Sequence, residues 1–341
     1  MSIREILLDS LKCQKGRWVS GEDLSSRLSV SRAAIWKHIR RLREEGYEIL
    51  SSPKKGYLLE KIPDRPFPRE ILEGLNTRRF GKEKIRYFEV TDSTNQVAKD
   101  LAAAGAPEGT LVVAEAQGKG RGRLGRKWYS PVGEGIYASL ILRPRIPLSE
   151  APLITFLAAV AVAEAVMEIS SLDVKIKWPN DLLVGGRKLA GILTEIATEM
   201  DAVEYLVLGL GLNVNTRSFP ASLKTRATSL LRETGAEFSR TSLIQGFLRW
   251  CEKYYWIFQE SGFDPILRRW KQLSLLLGKR VRVETVGGIL AGTATDVDPS
   301  GCLILVDDRG EEHHIFSGDI LSEEPSTKLR SRNLAEKGDN Q

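Results

Sequence analysis

Apolar positions change their period several times along the 341 residues, and each change predicts a different element. Ile3, Ile6, Leu7 and Leu11 recur at helical spacing. After a break at Gly16-Arg17, Ser20 or Gly21 starts a short second helix, GEDLSSRL. Ser29-Val30-Ser31 is a tight connection in which Ser31 suits an N-cap. A third helix, RAAIWKHIRRLREEG, is predicted to end near Gly46, with Ala34, Ile35, Ile39 and Leu42 as its apolar stripe. Arg32, Lys37, Arg40, Arg41 and Arg43 cover its other faces. The next run, YEILSSPKKGYLLE, alternates about a Ser-Pro-Lys-Lys-Gly tip and predicts a β-hairpin. A short helix, a brief turn, a basic helix and a basic hairpin form the winged helix-turn-helix pattern.

IPDRPFPRE (Ile62 to Glu70) reads as a linker, so the first domain is expected over residues 1–62. From about 68 to 270, strand-like runs (IRYFEV, TLVVAEA, IYASLIL, VKIKW, DLLV, YLVLGLGLNV) mix with helical ones without strict βαβ alternation. This favours an α+β fold, a mixed sheet with helices on one face. Short β-rich runs over 277–321, with turn signals at Gly287-Gly288, Pro299-Ser300-Gly301 and Asp308-Arg309-Gly310, suggest a small barrel. The polar stretch 322–341 is expected to be disordered.

Composition narrows the class. With 42% hydrophobic and 28% charged residues the chain is of ordinary globular type. Its longest apolar run, Phe156 to Ala163, is short of the roughly 18–20 residues a bilayer requires. No secretory signal is legible at the start, and three scattered cysteines and three histidines argue against a disulfide framework or a protein-only metal site. A reducing cytoplasm, with no membrane, is the expected setting. Charge is more informative once located. Residues 1–62 hold 13 Lys/Arg against 8 Asp/Glu, a net +5, whereas the other 279 hold 37 against 36. Within the latter, Lys119 to Lys127 holds five bases and no acid. Two basic foci on a mildly acidic body each call for an anionic partner. For the first, Ser31, Arg32, Lys37 and Arg40 on the third helix and Lys54 and Lys55 on the hairpin are the candidate contacts to double-stranded DNA.

The second focus is QGKGRGRLGRKW, Gln117 to Trp128. Backbone amides freed by glycine, interleaved with guanidinium forks, suit a phosphate-rich ligand. Gly120, Gly122 and Gly125 formally satisfy GxGxxG, but KWYSPVGEG follows where a dinucleotide fold would begin a helix. No GxxxxGK[ST] loop exists. An RGG-like nucleic-acid segment stays open, though one between the strands VVAEA and IYASLIL is better read as a ligand-clamping loop. KIKWPNDLLVGGRKLAGILTE (175–195) brings Lys177, Asn180, Asp181 and Lys188 to a sheet surface around turns at Pro179 and Gly185-Gly186. TDSTNQVAKD (91–100) places Ser93, Thr94 and Asn95 at a helix start, where a plain N-cap or a carboxylate site would both fit.

In this order, DSTNQ, Q-x-x-GRGRxGRxW, KWPNDL…RKLAGIL…E and GLGLNVN resemble the bacterial biotin protein ligases. With the winged helix in front, the chain resembles the bifunctional form that is also the biotin operon repressor. The resemblance covers about residues 1–321 and implies an α+β catalytic domain followed by an SH3-like barrel. It implies that biotin and Mg-ATP form biotinyl-5′-AMP, whose acyl group passes to a lysine of a biotin carboxyl carrier protein. It also implies that a homodimer loaded with the adenylate binds operator DNA. Carried over by position, Ser93, Thr94, Asn95 and Gln117 hold the biotin head. Arg121, Gly122 and Arg123 order over biotin and adenylate, and Lys188 meets the carboxylate and α-phosphate. Gly120, Arg126, Trp128, Lys177, Asn180 and Asn213 are the further adenylate candidates, with Gly191 and Gly209 to Asn213 at sheet positions near the ligand. Arg123, Lys188 and Asp181 are the catalytic candidates, Asp181 as acceptor or orienter of the amine or as a structural turn residue. The alternatives are a lipoate-type ligase, whose family shares the architecture but lacks the GRGRxGR run, or a regulator whose ligase activity is secondary. Gly118-Lys119 and Leu124 depart from the family run, and the tail beyond Ser322 has no counterpart.

Overall fold

The computed structural model describes residues 2–199 and 202–324. The chain divides into two compact units, Met1–Arg65 and Pro66–Gln341. In the first, α1 (Ile3–Cys13), α2 (Gly21–Leu28) and α3 (Arg32–Glu44) precede a hairpin of β1 (Glu48–Ser52) and β2 (Gly56–Lys61). Serines start each helix. Ser2 and Glu5 form a capping box, Ser20 accepts from the Glu22 and Asp23 amides, and Ser31 accepts from Ala34 N–H. Leu7, Leu8, Leu11, Leu24, Ile35, Ile39 and Leu42 bury one stripe from each helix in a shared core. Val19 bridges to Tyr57, adding a short third segment to the hairpin. Gly56 is required there: at φ +92° its backbone passes so close to Val19 that a Cβ would lie 2.0 Å from the Val19 carbonyl oxygen.

The second unit continues with α4 (Pro68–Leu72), β3 (Ile85–Thr91), α5 (Thr94–Ala103), β4 (Leu111–Gln117), β5 (Gly135–Leu142) and α6 (Leu153–Ser170). Then come β6 (Lys175–Lys177), β7 (Asp181–Val184), β8 (Arg187–Glu199), β9 (Ala202–Asn213), α7 (Leu230–Thr234), α8 (Arg240–Ser261) and α9 (Asp264–Leu273). The seven strands β3 to β9 form one mixed sheet in the order β3-β4-β5-β9-β8-β7-β6, with only β3 and β4 parallel. Contrary to the one-face expectation, helices lie on both faces. Alternation along β5 and β9 shows why: Leu140 and Leu142 with Leu206, Leu208, Leu210 and Leu212 join the cluster that holds α6, α8 and α9. Ile141, Tyr205 and Val207 point the other way, onto Ala98 and Ala102 of α5. The α6 helix is long and apolar enough to cross a membrane by composition, but it is buried here on most of its circumference, as a core helix must be.

The last part is an antiparallel sheet of β10 (Arg280–Thr285), β11 (Gly288–Val297), β12 (Leu303–Val306), β13 (Glu312–Ile315) and β14 (Asp319–Glu324), in the order β13-β12-β11-β10-β14. Its apolar face joins the same core through Val281, Val283, Ala294 and Leu303, and Trp178 donates its indole N–H to Gly301 O at 3.2 Å. Residues 322–324, expected as part of the tail, complete β14 because they pair with Arg280, Val281 and Arg282. The rest of the tail, 325–341, lies outside the described residues.

Candidate active site

The α5 face of the large sheet is left uncovered toward β8 and β7, and a cavity of about 650 Å³ opens there. Period-two alternation makes its floor. Where Leu208, Leu210 and Leu212 point into the core, Gly209, Gly211 and Asn213 point into the cavity, and Gly191 pairs with Gly211 across β8 and β9. These glycines are steric necessities. A Cβ on Gly211 would lie 2.4 Å from the Trp128 ring, and one on Gly209 would lie 2.1 Å from Asn95 Oδ1.

One end of the cavity is buried and polar. Ser93, Thr94 and Asn95 are each no more than 5% exposed. Ser93 is the N-cap residue of α5 yet makes no capping bond; Gln117 Oε1 instead accepts from Thr94 N–H at 2.9 Å and Thr94 Oγ1 at 3.1 Å. The helix thus begins within the predicted Asp-Ser-Thr-Asn stretch, with Ser93 at the N-cap position and its side chain lining the cavity instead of accepting from the first helical amides. Ser139 donates to Asn95 Oδ1 at 2.6 Å, and Asn95 Nδ2 donates to Leu193 O and to Glu195 Oε2 at 2.9 Å. Lys99 pairs with Glu195 at 2.9 Å. Burial would raise the Glu195 carboxyl, but hydrogen bonds from Lys99 and Asn95 outweigh it and hold the group below its ordinary value.

The other end is cationic. Trp178-Pro179 is a cis peptide at the β6–β7 turn, and Asn180 beside it is buried, donating to Ile192 O at 2.6 Å. Lys188 Nζ lies 2.6 Å from Asp181 Oδ1 and 5.4 Å from the centre of the Trp128 ring. The basic segment folds back on itself around a short 3-10 turn at Arg123–Gly125, with Gly122 N–H bonded to Arg126 O and Trp128 N–H to Gly120 O. Gly120 does not line the cavity; it sits against Trp128 O and Ser130 Oγ at the base of this turn. Arg121 reaches Gln96 Oε1 at 3.5 Å, on the polar side. Arg123 reaches Asn180 Oδ1 and Gly318 O, both at 3.4 Å, and Asp319 at 3.7 Å; Arg126 also pairs with Asp319. Lys177 Nζ donates to Ile320 O at 3.2 Å.

Apart from Gly120, and from Leu212 within the Gly209 to Asn213 run, every predicted biotin, adenylate and catalytic position lines this cavity. Sequence reading missed two stretches of the cavity lining and one buried ion pair outside it. Asp319, Ile320 and Leu321 come from the last sheet, and Phe219, Leu223 and Arg226 from the segment before α7, which Lys188 N–H fastens through Arg226 O at 2.8 Å. Neither stretch carries a local signal. The third is the buried ion pair of Arg240 with Glu115, at 2.8 Å, in which Arg240 also reaches Gly135 O at the return of the loop.

In the first unit, Arg32, Lys37, Arg40, Lys54 and Lys55 are exposed as predicted, while the Ser31 hydroxyl serves as the cap of α3. Arg32 pairs with Glu22 at 2.7 Å, and Lys55 lies 5.8 Å from the Trp18 ring centre.

Three family models match in sequence: an HTH domain over residues 4–58, the biotin/lipoate A/B protein ligase family over 87–213, and the biotin protein ligase C-terminal domain over 276–321. The chain is 42% identical to the bifunctional ligase/repressor BirA of Bacillus subtilis over 94% of its own length and 98% of that protein's. It is 32% identical to the protein of that name from Escherichia coli, over 86% and 89% of the two. Among solved structures, the biotin protein ligase of Aquifex aeolicus in complex with biotin and ATP superposes with a TM-score of 0.63 at 30% identity, covering 72% of this chain and all of that one. The chain therefore belongs to the biotin/lipoate A/B protein ligase family, among the biotin protein ligases that carry an amino-terminal helix-turn-helix domain.

Proposed function

We propose that the protein activates biotin as biotinyl-5′-AMP, transfers the biotinyl group to a lysine of a biotin carboxyl carrier protein, and as an adenylate-loaded homodimer represses transcription from operator DNA. The buried polar end of the cavity supports biotin over lipoate. A ureido ring has two N–H donors and one carbonyl acceptor with which to join the polar network at Ser93, Thr94, Asn95 and Gln117, whereas a dithiolane has no such donors or acceptor to offer that end of the cavity. Trp128, Phe219 and Leu223 give an aromatic and apolar wall suited to a purine.

In the first step a biotin carboxylate oxygen attacks the α-phosphorus and the bond to the β-phosphate oxygen breaks, releasing pyrophosphate. Two anions must approach, so fixed cations are needed at that point, and Lys188, Arg121 and Arg123, which all line the cavity, are the candidates. Mg²⁺ would enter on the nucleotide's phosphates and neutralise part of their charge; the cavity carboxylates Asp181 and Asp319 already face cations. In the second step the carrier's amine attacks the acyl carbon and AMP leaves, the amine losing a proton. Asp181 is the candidate acceptor, and its pairing with Lys188 equally supports a role in positioning that lysine. Asp181→Asn is expected to slow single-turnover transfer from preformed biotinyl-AMP by about 10²-fold; an unchanged rate removes Asp181 from the mechanism.

Incubation with biotin, ATP and a carrier domain, with lipoate as competitor, tests the substrate: carrier labelling that lipoate displaces would overturn the biotin reading. For the DNA module, loaded protein is expected to bind operator-bearing duplex with log K falling steeply with log salt. Lys54→Ala should make that slope shallower by about one. A salt-independent affinity, or one indifferent to biotinyl-AMP, would sink the repressor reading.

A further inference from the structure

Helix α3 buries Ile35, Ile39 and Leu42 and turns its basic residues to solvent. Among these cations stands Trp36, 54% exposed. Tryptophan is among the side chains with most to gain from burial, which makes an indole set among the cations of this helix a candidate contact group. Its setting is specific. Ala33, one turn earlier on the same side, is also exposed. Arg40, one turn later, lies 5.8 Å from the Trp36 ring centre while its Nε donates to Glu44 at 3.1 Å. The result is an apolar strip, Ala33 and Trp36, bounded by Arg32, Lys37 and Arg40.

We infer that Trp36 is the side chain through which α3 selects thymine in the major groove. This rests on the DNA-binding reading above and deepens it. The surrounding cations match a polyanion, and the first 62 residues carry a net +5. In the major groove, guanine, adenine and cytosine are told apart by their donors and acceptors, and the one methyl group any base presents there is the C5-methyl of thymine. An indole carried into that groove by a helix whose flanking cations hold phosphates gains contact at thymine and desolvates polar edges elsewhere. A contact of the same indole with sugar or phosphate would add affinity without sequence preference.

The test uses the full chain with biotin and ATP present. Duplexes are selected from a random-sequence library, and each thymine of the selected site is then replaced singly by deoxyuridine, which lacks only the methyl group. At one or two positions the replacement is expected to weaken wild-type binding about tenfold and to leave binding by Trp36→Ala unchanged. Trp36→Ala itself should lose about tenfold on the selected duplex while keeping its affinity for unrelated duplex and its salt slope. Because the indole is exposed, the variant keeps the core of the domain intact, and Trp36→Phe should retain part of the deoxyuridine effect. A uniform loss on all duplexes, or no sensitivity to any thymine methyl in the wild type, overturns the inference while leaving DNA binding standing. A protein that binds no duplex overturns both.

Discussion

Lys188→Gln is expected to slow formation of biotinyl-adenylate by about 10²–10³-fold, the cost of removing one preorganised group that meets developing charge. The lysine is held for that task from several sides. Its backbone amide is bonded to Arg226 O and its carbonyl to Thr228 N–H, and its ammonium lies between Asp181 and the Trp128 ring. Losing the cation acts twice, because Asp181 then presents an unopposed carboxylate toward an incoming carboxylate and triphosphate. Arginine is a poor substitute, since its planar fork does not reproduce a compact point charge at 2.6 Å from Asp181. Pyrophosphate release in a single turnover measures the step. Wild-type release by Lys188→Gln would remove this lysine from the chemistry, and an equal loss in transfer from preformed adenylate would show that its part is general positioning. The pair is partly exposed, so the variant's thermal midpoint should move little.

Arg123→Gly is expected to make adenylate but to release it faster, by an order of magnitude or more, with labelling of proteins other than the carrier. Arg123 is the side chain that ties the loop to both walls of the cavity: to Asn180 on one side and to Gly318 and Asp319 on the other. Arg126 shares Asp319, so Asp319→Asn should give the same leak through a different element. Phosphate oxygens entering the cavity would compete with Asp319 for these guanidinium groups, so the loop is held by one anion before loading and by another after it. Release of labelled adenylate by filtration or gel exclusion is the direct measurement. Full retention in Arg123→Gly, with unchanged selectivity for the carrier, would contradict a lid role for the loop.

Much of the site was legible because its residues are local words in the chain. QGKGRGRLGRKW has too many glycines for a helix or central strand, and KWPNDLL and RKLAGIL put polar groups into strand-like surroundings. The winged helix was legible for a related reason, since each helix carries its own serine cap and its own apolar stripe. What escaped was long-range. Asp319 meets a loop nearly two hundred residues earlier, Arg240 meets Glu115 across 125 positions, and Glu195 meets Asn95 across 100. No propensity encodes such separations.

The local code therefore determined the elements, the two basic foci and the residue types that can handle phosphate and a polar head group, because caps, glycines and period are read over a few neighbours. Only the tertiary structure decided that the start of α5 lines the cavity, with Thr94 tied to Gln117 from another strand. It likewise decided that Gly209 and Gly211 form a floor under Asn95 and Trp128, that helices cover both sheet faces, and that Asp319 closes the cationic end. Those outcomes follow from which strands pair and which face each alternating residue takes; along β9, a one-residue change of register would turn Gly209 and Gly211 into the core and their leucine neighbours toward the cavity.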